Sequence, residues 1–185
     1  MDCHEALRTR RTVHRYREEA VPREVVHEAL ELAILAPNHR LTNPWRFLLL
    51  GRESRAALAD LAVALKTRPG DQLAPDIEAR VRGKILRPAW GLLVGCIRSE
   101  EGHRMQEDRL AVACAIQNLG LALHARGLGT KWSTGAFTTH PQTYAHLGIE
   151  PQEIEIQGMV WIGHPEAVPP QPERTPLEDV LRERP

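Results

Sequence analysis

Two guanidiniums and a hydroxyl, Arg10, Arg11 and Thr12, stand together near the N-terminus, with Val13, His14, Arg15 and Tyr16 directly after them. Guanidinium forks match a dianionic phosphate in bidentate geometry. A neighbouring hydroxyl can bond a phosphate oxygen or a sugar alcohol. Two other polar stretches carry hydrogen-bonding groups at similar density: Asn38-His39 through Asn43, bracketed by Pro37 and Pro44, and Lys131 through Gly135. Arg174 adds one basic residue in a proline-rich tail. Their order suits a long ligand with an anionic end and a polar, hydrogen-bonding end. Lys131 and the backbone N–H groups around Gly135 suit a neutral heterocycle whose electron density rises on reduction. Taken singly, each stretch reads first as a solvated turn or a connector, since most loops and surface arginines are no more than that.

Other chemistries lack their motifs. There is no GxGxxG, because Gly127-Leu128-Gly129 follows a helix and precedes a strand, the reverse of the dinucleotide-binding order. No phosphate-binding P-loop and no GxSxG elbow occur. The nine histidines form no HxxxH pair and no cluster with Cys, Asp or Glu, so no metal is expected. Of the three cysteines, Cys96 falls mid-strand and Cys114 beside an apolar stripe, where both read as inert core, and the wide odd spacing fits free thiols in a reducing compartment. Lys+Arg and Asp+Glu both number 24 and aromatics make up 4%, which argues against a nucleic-acid partner. No apolar run approaches the ~20 residues of a membrane span, and Met-Asp-Cys-His-Glu does not resemble a secretory leader, so a cytoplasmic protein is expected.

The elements that must hold these residues follow from periodicity. Asp2 with Glu5 forms a capping box for a short helix that Thr12-Val13 should end. Val25, Val26, Ala29, Leu30, Ala33 and Ile34 recur at helical spacing, predicting a helix from Pro22 to about Ala36. Trp45 to Leu50 reads as a strand, Leu58 to Leu65 as helix, Thr67 to Ala74 as a loop containing Pro69, and Pro75 to Arg87 as helix. Gly91 to Ile97 is apolar at both parities, predicting a strand covered on both faces. The longest helix should run from His103 to Arg126, with small residues suited to close packing against a partner chain. Short strands at Thr130-Lys131-Trp132 and Glu155 to Gly163, a helix at Pro141 to Leu147 and a last turn at Leu177 to Leu181 complete the chain. Four strands among about six helices predict an α+β fold, with 185 residues forming one domain around a small central sheet.

At this point the chain resembles the nitroreductase family of FMN-dependent oxidoreductases, and in particular its minimal short-chain bacterial branch. The resemblance rests on Arg10-Arg11-Thr12, on Ala36-Pro37-Asn38-His39-Arg40 running into Asn43-Pro44-Trp45-Arg46-Phe47, and on Gly127-Leu128-Gly129 with Lys131 to Ala136. It also rests on Val160-Trp161-Ile162-Gly163-His164-Pro165 with Pro172 to Leu177. It implies a mostly antiparallel sheet flanked by helices, an intertwined homodimer with FMN at the interface and a ping-pong transfer of electrons from NADH or NADPH to nitroaromatic, quinone or similar small-molecule acceptors. It further implies that Arg10, Arg11, Thr12 and Arg174 hold the phosphate and ribityl end. Asn38, His39 and Asn43 would come from the other subunit, and Lys131, Trp132, Ser133 and Gly135 would lie along the flavin ring. No catalytic residue is assigned, because the flavin supplies the chemistry. Lys131 is read either as a partner for the reduced ring or as a surface charge. Thr12 stands where the family has Ser, Asn43 where it has Gln, and Leu35 where the branch can carry a basic residue. The short segment from Thr67 to Arg87 implies a reduced roof over the substrate pocket. A flavin-binding carrier or sensor without turnover, or a same-fold FMN enzyme of other oxidative chemistry, is the alternative.

Overall fold

The computed structural model describes residues 1–68 and 70–184, so Pro69 of the expected loop lies outside the described residues. In chain order the elements are α1 (Cys3–Thr9), α2 (Arg23–Ala33), β1 (Trp45–Leu50), α3 (Arg52–Ala64), α4 (Pro75–Leu86) and β2 (Trp90–Ile97). They continue with α5 (Gly102–Ala125), β3 (Gly129–Ser133), α6 (Pro141–Leu147), β4 (Ile154–Gly163) and α7 (Leu177–Val180). The four strands form one antiparallel sheet in the order β1-β2-β4-β3. This is the α+β architecture that the pattern of elements predicts. Among the described residues, no helix is long and apolar enough to cross a membrane.

The sheet is covered on both faces, as the unbroken apolar run of β2 requires. Leu92, Val94 and Cys96 of β2, with Val160 and Ile162 of β4, face α2 and α5. Leu93 of β2, with Met159 and Trp161 of β4, faces α3, α4 and α6. The two-residue side-chain period of a strand therefore sorts one sheet into two cores.

Two helices end earlier than periodicity suggests. The N-cap half of the capping box forms, with the Glu5 N–H donating to Asp2 Oδ1 at 2.8 Å, but α1 stops at Thr9 and Arg10 is its C-cap. Beyond it Thr12 bridges Thr130 in parallel, and the Val13 N–H donates to the Thr130 carbonyl at 2.9 Å, so β3 captures backbone that the helix would have used. Likewise α2 stops at Ala33, and Ile34 to Ala36 close it in tight turns ahead of Pro37. Cys96 is buried, and burial, chiefly, pushes its thiol up to about 12. Cys114, expected in the core, is instead exposed on α5, on the side away from the sheet with Leu110 and Gln117.

Candidate functional site

Strand β3 is the element on which the candidate residues converge. Thr130 is buried and pairs with Ile162 of β4, on the face toward α5. Its neighbour Lys131 pairs with Trp161, on the face toward α3 and α4. The N-terminal segment docks here because Gly129 carries no side chain: a Cβ at that position would stand 2.5 Å from Val13 Cγ2 and 2.8 Å from Val13 Cβ. The Tyr16 hydroxyl completes the attachment, donating toward the carbonyls of Val13 (2.9 Å) and Trp161 (3.2 Å).

This docking builds a first cleft of about 430 Å³ from Arg10, Arg11, Thr12 and His14 on one side and Pro169 to Pro172 with Arg174 on the other. Four arginines, Arg8, Arg10, Arg11 and Arg174, and the Thr12 hydroxyl line it, and no carboxylate does. The two adjacent arginines do different jobs. Arg11 is spent on the fold: it donates to the carbonyls of Arg8 (2.7 Å) and Arg10 (2.9 Å) and to Gln171 Oε1 (3.0 Å), tying the tail to the end of α1. Arg10 also reaches a smaller cleft beside Thr130 and Gly120 of α5, and among the described residues its guanidinium makes no ion pair. The positive field registers on His124, whose pKa is lowered first by burial and then by Arg10 and Arg11.

A second cleft of about 460 Å³ opens on the other face. Lys131, Ser133 and Gly135 line it from β3 and the loop after it, with Trp132, Phe137 and Trp161, while α3 and α4 roof it with Ala62, Val81 and Ile85. The roof consists of two helices of 13 and 12 residues. The walls are fixed by hydrogen bonds. Trp161 Nε1–H donates to Ser133 Oγ at 3.2 Å, and Trp132 Nε1–H donates to the Gln157 carbonyl at 3.0 Å. Gly158, at φ +139°, allows that approach, since a Cβ there would lie 2.5 Å from Trp132 Nε1. The ammonium of Lys131 is half-buried, and its pKa is lowered by burial and by Lys84. His14, which lines the first cleft, is held below its ordinary value by burial and then by the charges of Lys131 and Lys84.

The loop bearing Asn38, His39 and Asn43 stands apart. It holds a 3₁₀ turn, His39–Leu41, with Arg40, Leu41 and Asn43 all at positive φ. The Asn38 carboxamide supports it by accepting from the Asn43 N–H (2.7 Å) and donating to Thr42 Oγ1 (2.9 Å). The Thr42 hydroxyl donates to Asp108 of α5, and His39 Nδ1 sits 3.0 Å from Glu107. Asp108 is twelve residues from Gly120, which flanks Arg10, and so about 18 Å away along α5. Within one chain the structure brings Arg10, Arg11, Thr12 and Arg174 together, and Lys131, Trp132, Ser133 and Gly135 together, but not the Asn38 loop with either. Sequence reasoning missed Lys66, Lys84 and the aromatic wall of Phe137 and Trp161, since α3, α4 and the α6 approach read only as structure. Among the described residues, no group of three or more His, Cys, Asp or Glu could hold a metal ion.

A family model described as the nitroreductase family matches residues 7–164. The chain is 28% identical over 178 residues to "Putative NAD(P)H nitroreductase YfhC" of Bacillus subtilis, covering 96% of this chain and 91% of that protein. It is 31% identical over 178 residues to a 5,6-dimethylbenzimidazole synthase of Rhodospirillum rubrum, covering 89% and 82%. A Desulfovibrio desulfuricans crystal structure, described as "a putative nitroreductase in complex with FMN", superposes with a TM-score of 0.74 at 30% identity, over 98% of this chain and 96% of that one.

Proposed function

The chain belongs to the nitroreductase family, and on that premise we propose that it is a single-domain, FMN-dependent oxidoreductase. It moves electrons from NADH or NADPH to nitroaromatics, quinones or similar electron-poor acceptors in ping-pong order. The observation that carries this reading is the pairing of a carboxylate-free guanidinium cleft with a largely apolar cleft across a single strand. That donor set fits a phosphate joined to a planar ring. Arg10, Thr12 and Arg174 bind the phosphate, with Arg11 holding the tail in place for them. Ser133 and Gly135 border the ring, Trp132 and Phe137 exclude water beside it, and Lys131 places a positive charge where reduction adds electron density. FMN, when bound, supplies the hydride acceptor and the electron donor.

The functional unit is a homodimer. Leu110, Leu35 and Leu41 are 61%, 73% and 77% exposed, an unusual outlay of apolar surface next to the Asn38 loop. A two-fold axis across the middle of α5 sets the N-terminal half of one α5 beside the C-terminal half of the other. It thereby brings Asn38, His39 and Asn43 to the cleft containing the partner subunit's Arg10.

The test is the visible spectrum. The purified protein is expected to be yellow, to bleach with NADH or NADPH and to recover its colour with a quinone. A colourless protein that takes up no FMN on titration would sink the proposal. A flavoprotein that never bleaches would be a carrier. The relationship to a 5,6-dimethylbenzimidazole synthase favours one further reading, oxidative chemistry on flavin itself. Loss of bound FMN with appearance of a benzimidazole product would identify it.

A further inference from the structure

Of the 24 cationic side chains in this chain, 21 are arginines and three are lysines, Lys66, Lys84 and Lys131. All three lysines line the same cleft. They arrive from three elements: Lys66 from the turn after α3, Lys84 from the last turn of α4 and Lys131 from β3. No carboxylate lines the cleft, and among the described residues none forms an ion pair with any of the three. The acidic residues of α4 face elsewhere: Asp76 pairs with Arg80, and Glu78 with Arg82, which also pairs with Asp60 of α3. Positive charge gathered over an apolar floor without a counter-ion attracts an anion, and the low-polarity walls concentrate its field. A compact ammonium reaches such a spot with less bulk than a guanidinium fork.

Resting on the FMN reading above, in which Lys131 serves the ring, we infer that Lys66 and Lys84 select acceptors that carry an anionic group. The matching substrate class is a planar, electron-poor molecule with a carboxylate or sulfonate at its edge. Its apolar body lies against Phe137 and Ile85, and its charge lies at the roof.

The experiment compares 4-nitrobenzoate with neutral 4-nitrobenzamide. Binding is measured by calorimetry on the FMN-loaded protein and again after flavin removal, and kcat/KM is measured on the loaded protein. The anion is expected to be preferred. Lys66→Gln and Lys84→Gln should each lower the anion-to-neutral ratio about tenfold, Lys84→Arg should retain most of it, and Arg80→Gln, on the outer side of α4, should leave it unmoved. Equal preference in the native protein, or a ratio that neither glutamine variant changes, overturns the inference. Glutamine variants that lose FMN but keep the ratio overturn it too, by assigning the lysines to the cofactor. Loss of discrimination between NADPH and NADH with an unchanged acceptor ratio overturns it in favour of the donor's extra phosphate. Failure to bind FMN would refute the proposed function instead, while the anion preference of the flavin-free protein would still decide the role of the lysines.

Discussion

The two clefts are of nearly equal volume, about 430 and 460 Å³, and are built on opposite principles. The first is assembled from irregular segments: the end of α1, a stretch bridged to β3 and a proline-rich tail, with one of its guanidiniums, Arg11, tied to main-chain carbonyls. The second is walled by packed side chains from both layers of one core, and its charges ride on long flexible stems. A cleft lined by guanidinium forks, which match a phosphate, suits a part common to every turnover. An apolar cleft edged by ammoniums without carboxylate partners suits a part that varies. On the proposed reading, anchoring and selection are separated, and each can be damaged alone.

The largest expected effect comes from breaking the second cleft at its base. Gly158→Ala forces a side chain onto Trp132 at a backbone angle that L residues avoid, and should cost about 2–4 kcal/mol of stability in chemical denaturation. An unchanged denaturation midpoint would mean that the contact between β3 and β4 does not hold this wall. Next comes the contrast in affinity. Arg10→Ala should weaken FMN binding by about 1.5–3 kcal/mol, the worth of a charge-assisted bond, and more than Lys131→Ala does, since a phosphate is always anionic and the oxidised ring is neutral. Fluorescence titration measures both, and the reverse order would exchange the roles of the two clefts.

Most of the architecture was legible from the chain. β1 spans Trp45–Leu50 as its pattern predicts, and the doubly apolar β2 lies between two helical layers. Helix ends were less legible, because what stops α1 is a bridge to a residue more than a hundred positions away, and periodicity carries no such information. At the site, the members of each polar stretch arrived together because neighbours on a loop share a wall. The division of labour between Arg10 and Arg11 was hidden, since it depends on where Gln171 returns. Lys66 and Lys84 carried a signal that periodicity overlooks: their rarity among so many arginines.

Two smaller effects sharpen the contrast further. Gln171→Ala frees the tail from Arg11 and should loosen FMN by about 0.5–1.5 kcal/mol, with no effect on the second cleft's anion preference. Equal loosening in an Arg11→Ala, Gln171→Ala double variant would show that the two act only through each other. The smallest effect is that of pH. His14 and His124 both have lowered pKa values in the folded state, so the unfolded chain binds more protons below about pH 6.5. Their contribution is therefore complete above that value and is lost as the solution is acidified. The melting temperature should fall between about pH 7.5 and about pH 5.5, and His14→Gln should reduce the fall.

Because Thr130 and Lys131 are neighbours on one strand that face opposite ways, β3 sets a reading frame for the whole site. One residue inserted or deleted ahead of it would turn each side chain toward the wrong compartment. The short turn through Gly127 is thus closed to length variation, whereas α3 and α4 can lengthen, shorten or change their lysines without disturbing the arginine-lined cleft. Descendants of this chain would inherit the partition intact and diversify the roof.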